Sequence, residues 1–179
     1  MRVAPGRRRD VGLGIWAFAG LAGRVAGTAP PNLFLVLGRH RRLFLGWLHF
    51  AGRLMPGGRL PRRETELVIL RVAHLRACDY EREHHQRLGA RAGLSTEDFT
   101  RIADGPAAPG WSPRERALLA ATDLLHHERD LDDDAWTALR EHLDERETIE
   151  LTLLVGHYEM LATAITTLRI EPEELRQRR

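Results

Sequence analysis

Residues 77–85 read ACDYEREHH and contain the chain's single cysteine, with Glu81 three positions after it and His85 four positions further on. On a helix of about 100° per residue with Cys78 as zero, Glu81 falls at about 300° and His85 at about 340°, so all three share a face roughly 60° wide. A glutamate and a histidine four apart on a helix touch and shift each other's protonation. Such a pair can move a proton to or from a substrate; it can equally be a solvated pair on a helix surface. Twelve residues before the cysteine, Glu66 lies on the stripe of Ile69, Leu70 and Ala73. A carboxylate on an apolar face must be paired, protonated or functional, and an ion pair with one of the many arginines would meet that need as well.

The remaining histidines carry weaker signals. His84 points about 100° away from His85, toward a surface or an interface. His157 and Tyr158 lie together in GHYEM and can line a pocket or pack in a core. His126 and His127, near Glu128 and Asp130, can bind a metal or complement a helix C-terminus. Glu66, Glu81 and His85 could themselves form a carboxylate and imidazole metal site. No metal and no cofactor is expected.

Composition narrows the chemistry further. All 27 Lys+Arg residues are arginine, so no lysine Schiff base can form. One cysteine excludes an intrachain disulfide and a cysteine cage for zinc or iron–sulfur within one subunit. The net charge of +2 is low for a nucleic-acid binder unless the arginines cluster on one face. The first residues have arginines, an apolar run and then small residues, the layout of an export signal. Arg24 interrupts the run, and the expected compartment is the cytoplasm. No stretch of ~20 apolar residues is seen, so no membrane partner is expected.

The elements that must hold these residues are helical. Apolar residues recur three and four apart with no useful alternation. A first helix is expected over about 12–27, closed by Pro30 and Pro31, and a second over about 40–54. MPGGRLP is a turn, and Pro61 suits the first position of a helix apolar over most of its circumference. A further helix, or a continuation after a kink, runs from Cys78 to Ala92 and stops at Gly93. Ser95 with Asp98, and Ser112 with Glu115, form capping boxes, and Asp132 and Asp144 cap the next two helices. GPAAPG divides the sequence into two helical halves. RETELVIL at 63–70 is echoed by RETIELTLL at 146–154, which marks either two helices packed side by side or two independent buried helices.

RETELVILRVAHLRACDYEREHHQRLGARAGLSTEDF resembles the core motif of the carboxymuconolactone decarboxylase family, which includes the alkyl hydroperoxidase D branch. Family members are similar in placing a glutamate, then a C-x-x-C pair, then a histidine at the spacing of Glu66, Cys78, Glu81 and His85. WSPRERALL, ELTLLVGHYEML and PNLFLVLGRHRRLF extend the likeness to about residues 30–165. The resemblance implies an all-α, single-domain bundle of about seven to eight helices of the alkyl hydroperoxidase D type. It would comprise an N-terminal arm and helix over 1–29, the helical domain over 30–170 and a polar tail over 171–179. It further implies a homo-oligomer, trimer or hexamer, acting on a small molecule, with Glu66, Cys78, Glu81 and His85 catalytic. His84, His157 and Tyr158 are candidates for the pocket.

In the redox branch the resemblance implies two cysteines served by the glutamate and histidine as proton relays. Glu81 stands where the second sulfur would be, so disulfide cycling within one site is unavailable. Three functions follow: a decarboxylase-like or isomerase-like proton-transfer enzyme, a thiol-dependent hydroperoxide reductase using Cys78, and a non-catalytic oligomeric protein.

Overall fold

The computed structural model describes Met1–Leu175 and is all-α, with ten helices among these residues and one isolated bridge between Thr28 and Leu175. The described residues form two compact units: Met1–Ala51 with Ala164–Leu175, and Gly52–Thr163. The boundaries fall inside helices α4 (Arg41–Leu54) and α10 (Glu145–Leu168). The GPAAPG loop lies within the second unit.

The first unit carries α1 (Arg8–Val11), α2 (Leu13–Ala26) and α3 (Asn32–Leu37). The first helix expected, over about 12–27, is α2; ahead of it Gly12, at φ +85°, ends the additional one-turn helix α1, a conformation that glycine adopts without steric cost. The Arg41 guanidinium donates to the freed carbonyls of Arg9 and Asp10. The two prolines do close α2, but Pro31, with φ −54°, then opens the short α3. These two short helices bring the count above the seven or eight expected. Val11, Ile15 and Phe44 form the unit's core, with the Phe34 ring 5.8 Å from both Phe44 and Trp47.

In the second unit α5 (Arg62–Leu75) is central, and Thr65 through Ala73 are all buried. Around it stand α6 (Asp79–Arg91), α7 (Thr96–Asp104) and α8 (Pro113–His127), followed by α9 (Asp133–Arg140). Leu67 and Leu70 of α5 pack with Leu94, Ile102, Trp111 and Leu119. The capping boxes at Ser95 and Ser112 form as the spacing predicts. Asp132 and Asp144 likewise accept from the backbones of Ala135 and Glu147.

Every charged side chain on the buried stretch of α5 is answered. Arg71 makes two bonds to Asp123 of α8, at 2.6 and 2.8 Å, and donates to the Ile102 and Ala103 carbonyls at the end of α7. Arg63 joins Asp98 and Glu115. Arg114 of α8 binds Glu64 at 2.9 Å and Glu147 at 2.8 Å. Those two glutamates hold equivalent positions in the repeated RET segments, so one guanidinium ties the starts of α5 and α10 together.

Among the described residues α10 is the one helix long and apolar enough to cross a membrane, with 44% of its apolar window buried inside the protein. This departs from the expectation that no stretch had that length. The helix nevertheless reads as a core element, because its Glu147 and Glu159 are held by Arg114 and by His126 with Arg76.

The join of α5 and α6 positions the residues singled out by their chemistry. Ala77, at φ +47°, turns the chain in the left-handed region, and the Cys78 N–H bonds back to the Ala73 carbonyl. α6 therefore folds back against α5 instead of extending it. An alanine in this conformation is strained by roughly 1–2 kcal/mol, and a glycine is not. Ala77→Gly is expected to raise Tm by about 1–4 °C after the glycine's extra unfolded-state entropy is subtracted. Thermal unfolding followed by circular dichroism checks this; a lowered Tm would contradict the left-handed turn.

Candidate functional site

Glu66 lies nine residues before the end of α5 and His85 six residues after the start of α6. At ~1.5 Å rise per residue these are comparable distances from the turn, so an antiparallel hairpin brings the two side chains level. The His85 Nδ1 lies 2.7 Å from Glu66 Oε2, and its Nε2 lies 3.3 Å from Glu81 Oε2. All three side chains are at most 4% exposed. The other oxygen of Glu66 meets Arg62 Nη2 at 2.5 Å. The result is an alternating row of charge: Arg62, Glu66, His85, Glu81. At its inner end Glu81 Oε1 is buried and has no hydrogen-bond partner among the described residues.

Burial alone would drive the His85 imidazole toward its neutral form. Hydrogen bonds to Glu66 and Glu81, reinforced by their charges, overcome this and raise its pKa from 6.5 to about 9. At neutral pH the ring is an imidazolium with both N–H groups directed at carboxylates. It then has no lone pair to offer a metal. Among the described residues no group of three or more His, Cys, Asp and Glu side chains is arranged to hold one.

Cys78 is the N-cap of α6 and 3% exposed. A helix N-terminus ordinarily favours a thiolate. Here burial dominates and pushes the thiol pKa up; the Glu81 backbone N–H opposes it, and the charges of Glu81 and Asp79 add to the rise. Cys78 is a thiol at neutral pH.

α10 contributes His157 and Tyr158, both buried. The Tyr158 ring stands edge-on to His85, with centroids 5.1 Å apart and planes at 87°, and His157 packs against Tyr158 at 5.3 Å. Burial raises the Tyr158 phenol well above its usual range, and the carboxylates of Glu81 and Glu66 push it further. Burial lowers His157, with Glu81 pulling the other way. Both side chains are uncharged at neutral pH. His84 is half-buried, its ring 5.5 Å from that of His85.

The residues Glu66, Cys78, Glu81, His85, His157 and Tyr158 are thus brought into one neighbourhood. One oxygen of Glu66 makes the ion pair with an arginine, Arg62, and the other faces His85, so the two readings of this carboxylate are compatible. Arg62 was not singled out from the sequence, although its place four residues before Glu66 was the available signal. The pair His126 and His127 lies apart from this cluster; His126 Nδ1 meets Glu159 Oε1 at 2.6 Å, and Arg76 approaches the same carboxylate at 3.5 Å.

Residues 42–124 match the model of the carboxymuconolactone decarboxylase family. No curated protein matches the chain. Among solved structures, an uncharacterized peroxidase-related protein from Silicibacter sp. TM1040 superposes with a TM-score of 0.80 at 15% identity, over 89% of this chain and 84% of that one. An alkylhydroperoxidase AhpD core protein from Ralstonia eutropha JMP134 gives 0.79 at 19% identity, over 89% and 85%. The debrominase Bmp8 gives 0.79 at 16% identity, over 96% and 91%, and a cysteine-to-alanine variant of it was solved in complex with 2,3,4-tribromopyrrole. At these identities the likeness establishes the fold, which is that of the AhpD-like helical proteins, and it is on this fold that residues 42–124 match the carboxymuconolactone decarboxylase family.

Proposed function

We propose that this chain is a carboxymuconolactone decarboxylase-like enzyme that moves a proton on a small molecule, in a decarboxylation or a related proton transfer. One observation carries the reading: a buried imidazolium is clamped between two carboxylates, and the one without an arginine, Glu81, keeps an oxygen with neither a hydrogen bond nor an ion pair among the described residues. That oxygen, Glu81 Oε1, is the position at which the row can still give or take a proton.

Glu81 acts as the general acid or base toward the substrate, and His85 holds the reserve proton behind it. Glu66, fixed by Arg62, sets the ring orientation and supplies the counter-charge. In a decarboxylation the carbon–carbon bond breaks as carbon dioxide leaves, and its electron pair stays on the substrate carbon. The His85 imidazolium passes a proton through the Glu81 carboxylate to that carbon, and solvent restores the imidazolium. Run from a carbon acid instead, Glu81 removes the proton and returns it at a neighbouring carbon, an isomerisation. His157 and Tyr158, both uncharged, suit hydrogen bonding to a substrate oxygen. His84 is assigned no step. We carry forward the homo-oligomer, trimer or hexamer, as the expected assembly.

The hydroperoxide reductase alternative finds no support. The chain has one cysteine, it is buried, and its thiol is held protonated.

The test is a panel of small carbon acids and carboxylates incubated in D2O, with solvent deuterium at carbon read by NMR. Wild-type enzyme should label at least one class. On that substrate Glu81→Gln and His85→Gln should each lower kcat by about 10²–10⁴, the contribution of a positioned acid or base. Cys78→Ser should be nearly silent. Thiol-dependent peroxide turnover abolished by Cys78→Ser and spared by Glu81→Gln would overturn the reading.

A second outcome concerns pH. Because the folded-state pKa of His85 is raised from 6.5 to about 9, its contribution to stability is fully present below 6.5 and is lost as pH rises through about 9. Cys78 and Tyr158, whose pKa values are also raised, add losses only at still higher pH. Denaturant midpoints measured from pH 6 to pH 9 should fall for the wild type, and this decline should be absent in His85→Gln. An identical decline in both would show that His85 is not the titrating group.

A further inference from the structure

Two buried polar atoms beside His85 have neither a hydrogen bond nor an ion pair among the described residues. One is Glu81 Oε1. The other is the hydroxyl of Tyr158, a residue only 6% exposed. The first accepts a proton and the second donates a hydrogen bond. One imidazole adjoins both, since His85 Nε2 lies 3.3 Å from Glu81 Oε2 and the His85 ring centroid 5.1 Å from that of Tyr158. The Tyr158 ring stands edge-on to His85 at 87° and to His157 at 78°, so packing and not a hydrogen bond sets the direction of its hydroxyl.

The charges around this pair limit what can bind. Burial aside, the charges acting on Tyr158 are those of Glu81, Glu66 and Arg62, and on His157 that of Glu81. Both cations of the row are committed: His85 turns one nitrogen to each carboxylate, and Arg62 meets Glu66 at the far end. Cys78, His157 and Tyr158 are uncharged. A substrate carboxylate set against Glu81 would bring two negative charges together in a buried site with no free cation to answer them. A neutral carbonyl meets no such repulsion, and its oxygen supplies the acceptor that the Tyr158 hydroxyl lacks.

We infer that the substrate is an uncharged, enolisable carbonyl compound: Glu81 Oε1 takes the proton from the carbon beside the carbonyl, and the Tyr158 hydroxyl donates a hydrogen bond to the carbonyl oxygen. The inference rests on the acid-base reading of Glu81 and names its substrate class. The carbon–hydrogen bond breaks, its electron pair forms the carbon–carbon double bond of an enolate, and the carbonyl π pair moves onto oxygen. Glu81 then returns the proton at the same carbon or at the far end of a conjugated system, and no oxidant, reductant or leaving group is needed. A donor aimed at the oxygen where charge develops strengthens as the transition state forms. Of the two reactions open to Glu81, this selects the isomerisation over loss of carbon dioxide, whose substrate must bring a carboxylate.

Matched pairs test it on the full chain in D2O: a size-graded series of ketones and β,γ-unsaturated ketones, each beside the same skeleton carrying a carboxylate. Deuterium at carbon is read by NMR, with carbon dioxide release followed alongside. The ketones should be labelled with kcat/KM about tenfold or more above that of their carboxylate partners, the effect of opposing like charges. Tyr158→Phe keeps the ring and should lower kcat on the ketones by about 10²–10³ with KM little changed, the cost of losing one donor to a developing oxyanion. Circular dichroism confirms that the variant is folded, and the comparison of paired substrates needs only the wild type. A folded Tyr158→Phe chain with wild-type kcat on the ketones would overturn the inference. Carboxylates processed in a Glu81-dependent way in preference to ketones would overturn it and leave the proton-transfer reading standing, whereas labelling of neither kind would overturn both.

Discussion

A charged imidazole with almost no exposure is the feature around which the second unit is organised. Taking an ion out of water costs several kcal/mol even after relaxation. A single carboxylate would answer one ring nitrogen and leave the other donor unpaired in a dry interior. Here Glu66 and Glu81 answer both. Two carboxylates against one imidazolium leave a negative excess, and Arg62, 2.5 Å from Glu66, offsets it. The row is therefore close to neutral as a whole while each member is strongly polarised. A change of charge at Glu81 is therefore felt at His85 and then at Glu66.

This arrangement makes demands on the backbone. Glu66 and His85 come from antiparallel helices, so their level is set by the turn at Ala77 and Cys78 and by how firmly α5 is held. The buried and half-buried arginines supply that hold. Arg71 secures α5 to the end of α7 and to α8, Arg63 to α7 and α8, and Arg114 links the starts of α5 and α10. Gly105, at φ +95° and packed against the Arg71 guanidinium, lets the GPAAPG loop approach that joint closely. Bidentate guanidinium contacts fix both distance and orientation. That is a physical use for a chain whose cations are all arginine.

What could be read from the residues alone was largely local. Ser95 with Asp98 and Ser112 with Glu115 declare their helix starts within four residues, and each capping box forms. The shared face of Cys78, Glu81 and His85 also needs only helical periodicity. The contact of Glu66 with His85 spans a turn, and only the likeness to a known motif indicated that the two would meet. Short-range signals did not disclose the two short helices that flank α2: α1 ends at Gly12, and Pro31, read as part of a helix stop, also starts α3.

Three residues after Cys78 stands a carboxylate, Glu81, and not a second thiol. A thiol pair exchanges electrons and needs an oxidant and a reductant to complete a cycle. A carboxylate in the same place exchanges only protons, which water supplies. Burial raises the pKa of the Cys78 thiol, and the Glu81 charge adds to the rise. The same carboxylate helps hold His85 as an imidazolium. The one negative charge therefore acts on both neighbours, adding to the rise that keeps Cys78 a thiol and to the rise that keeps His85 an imidazolium.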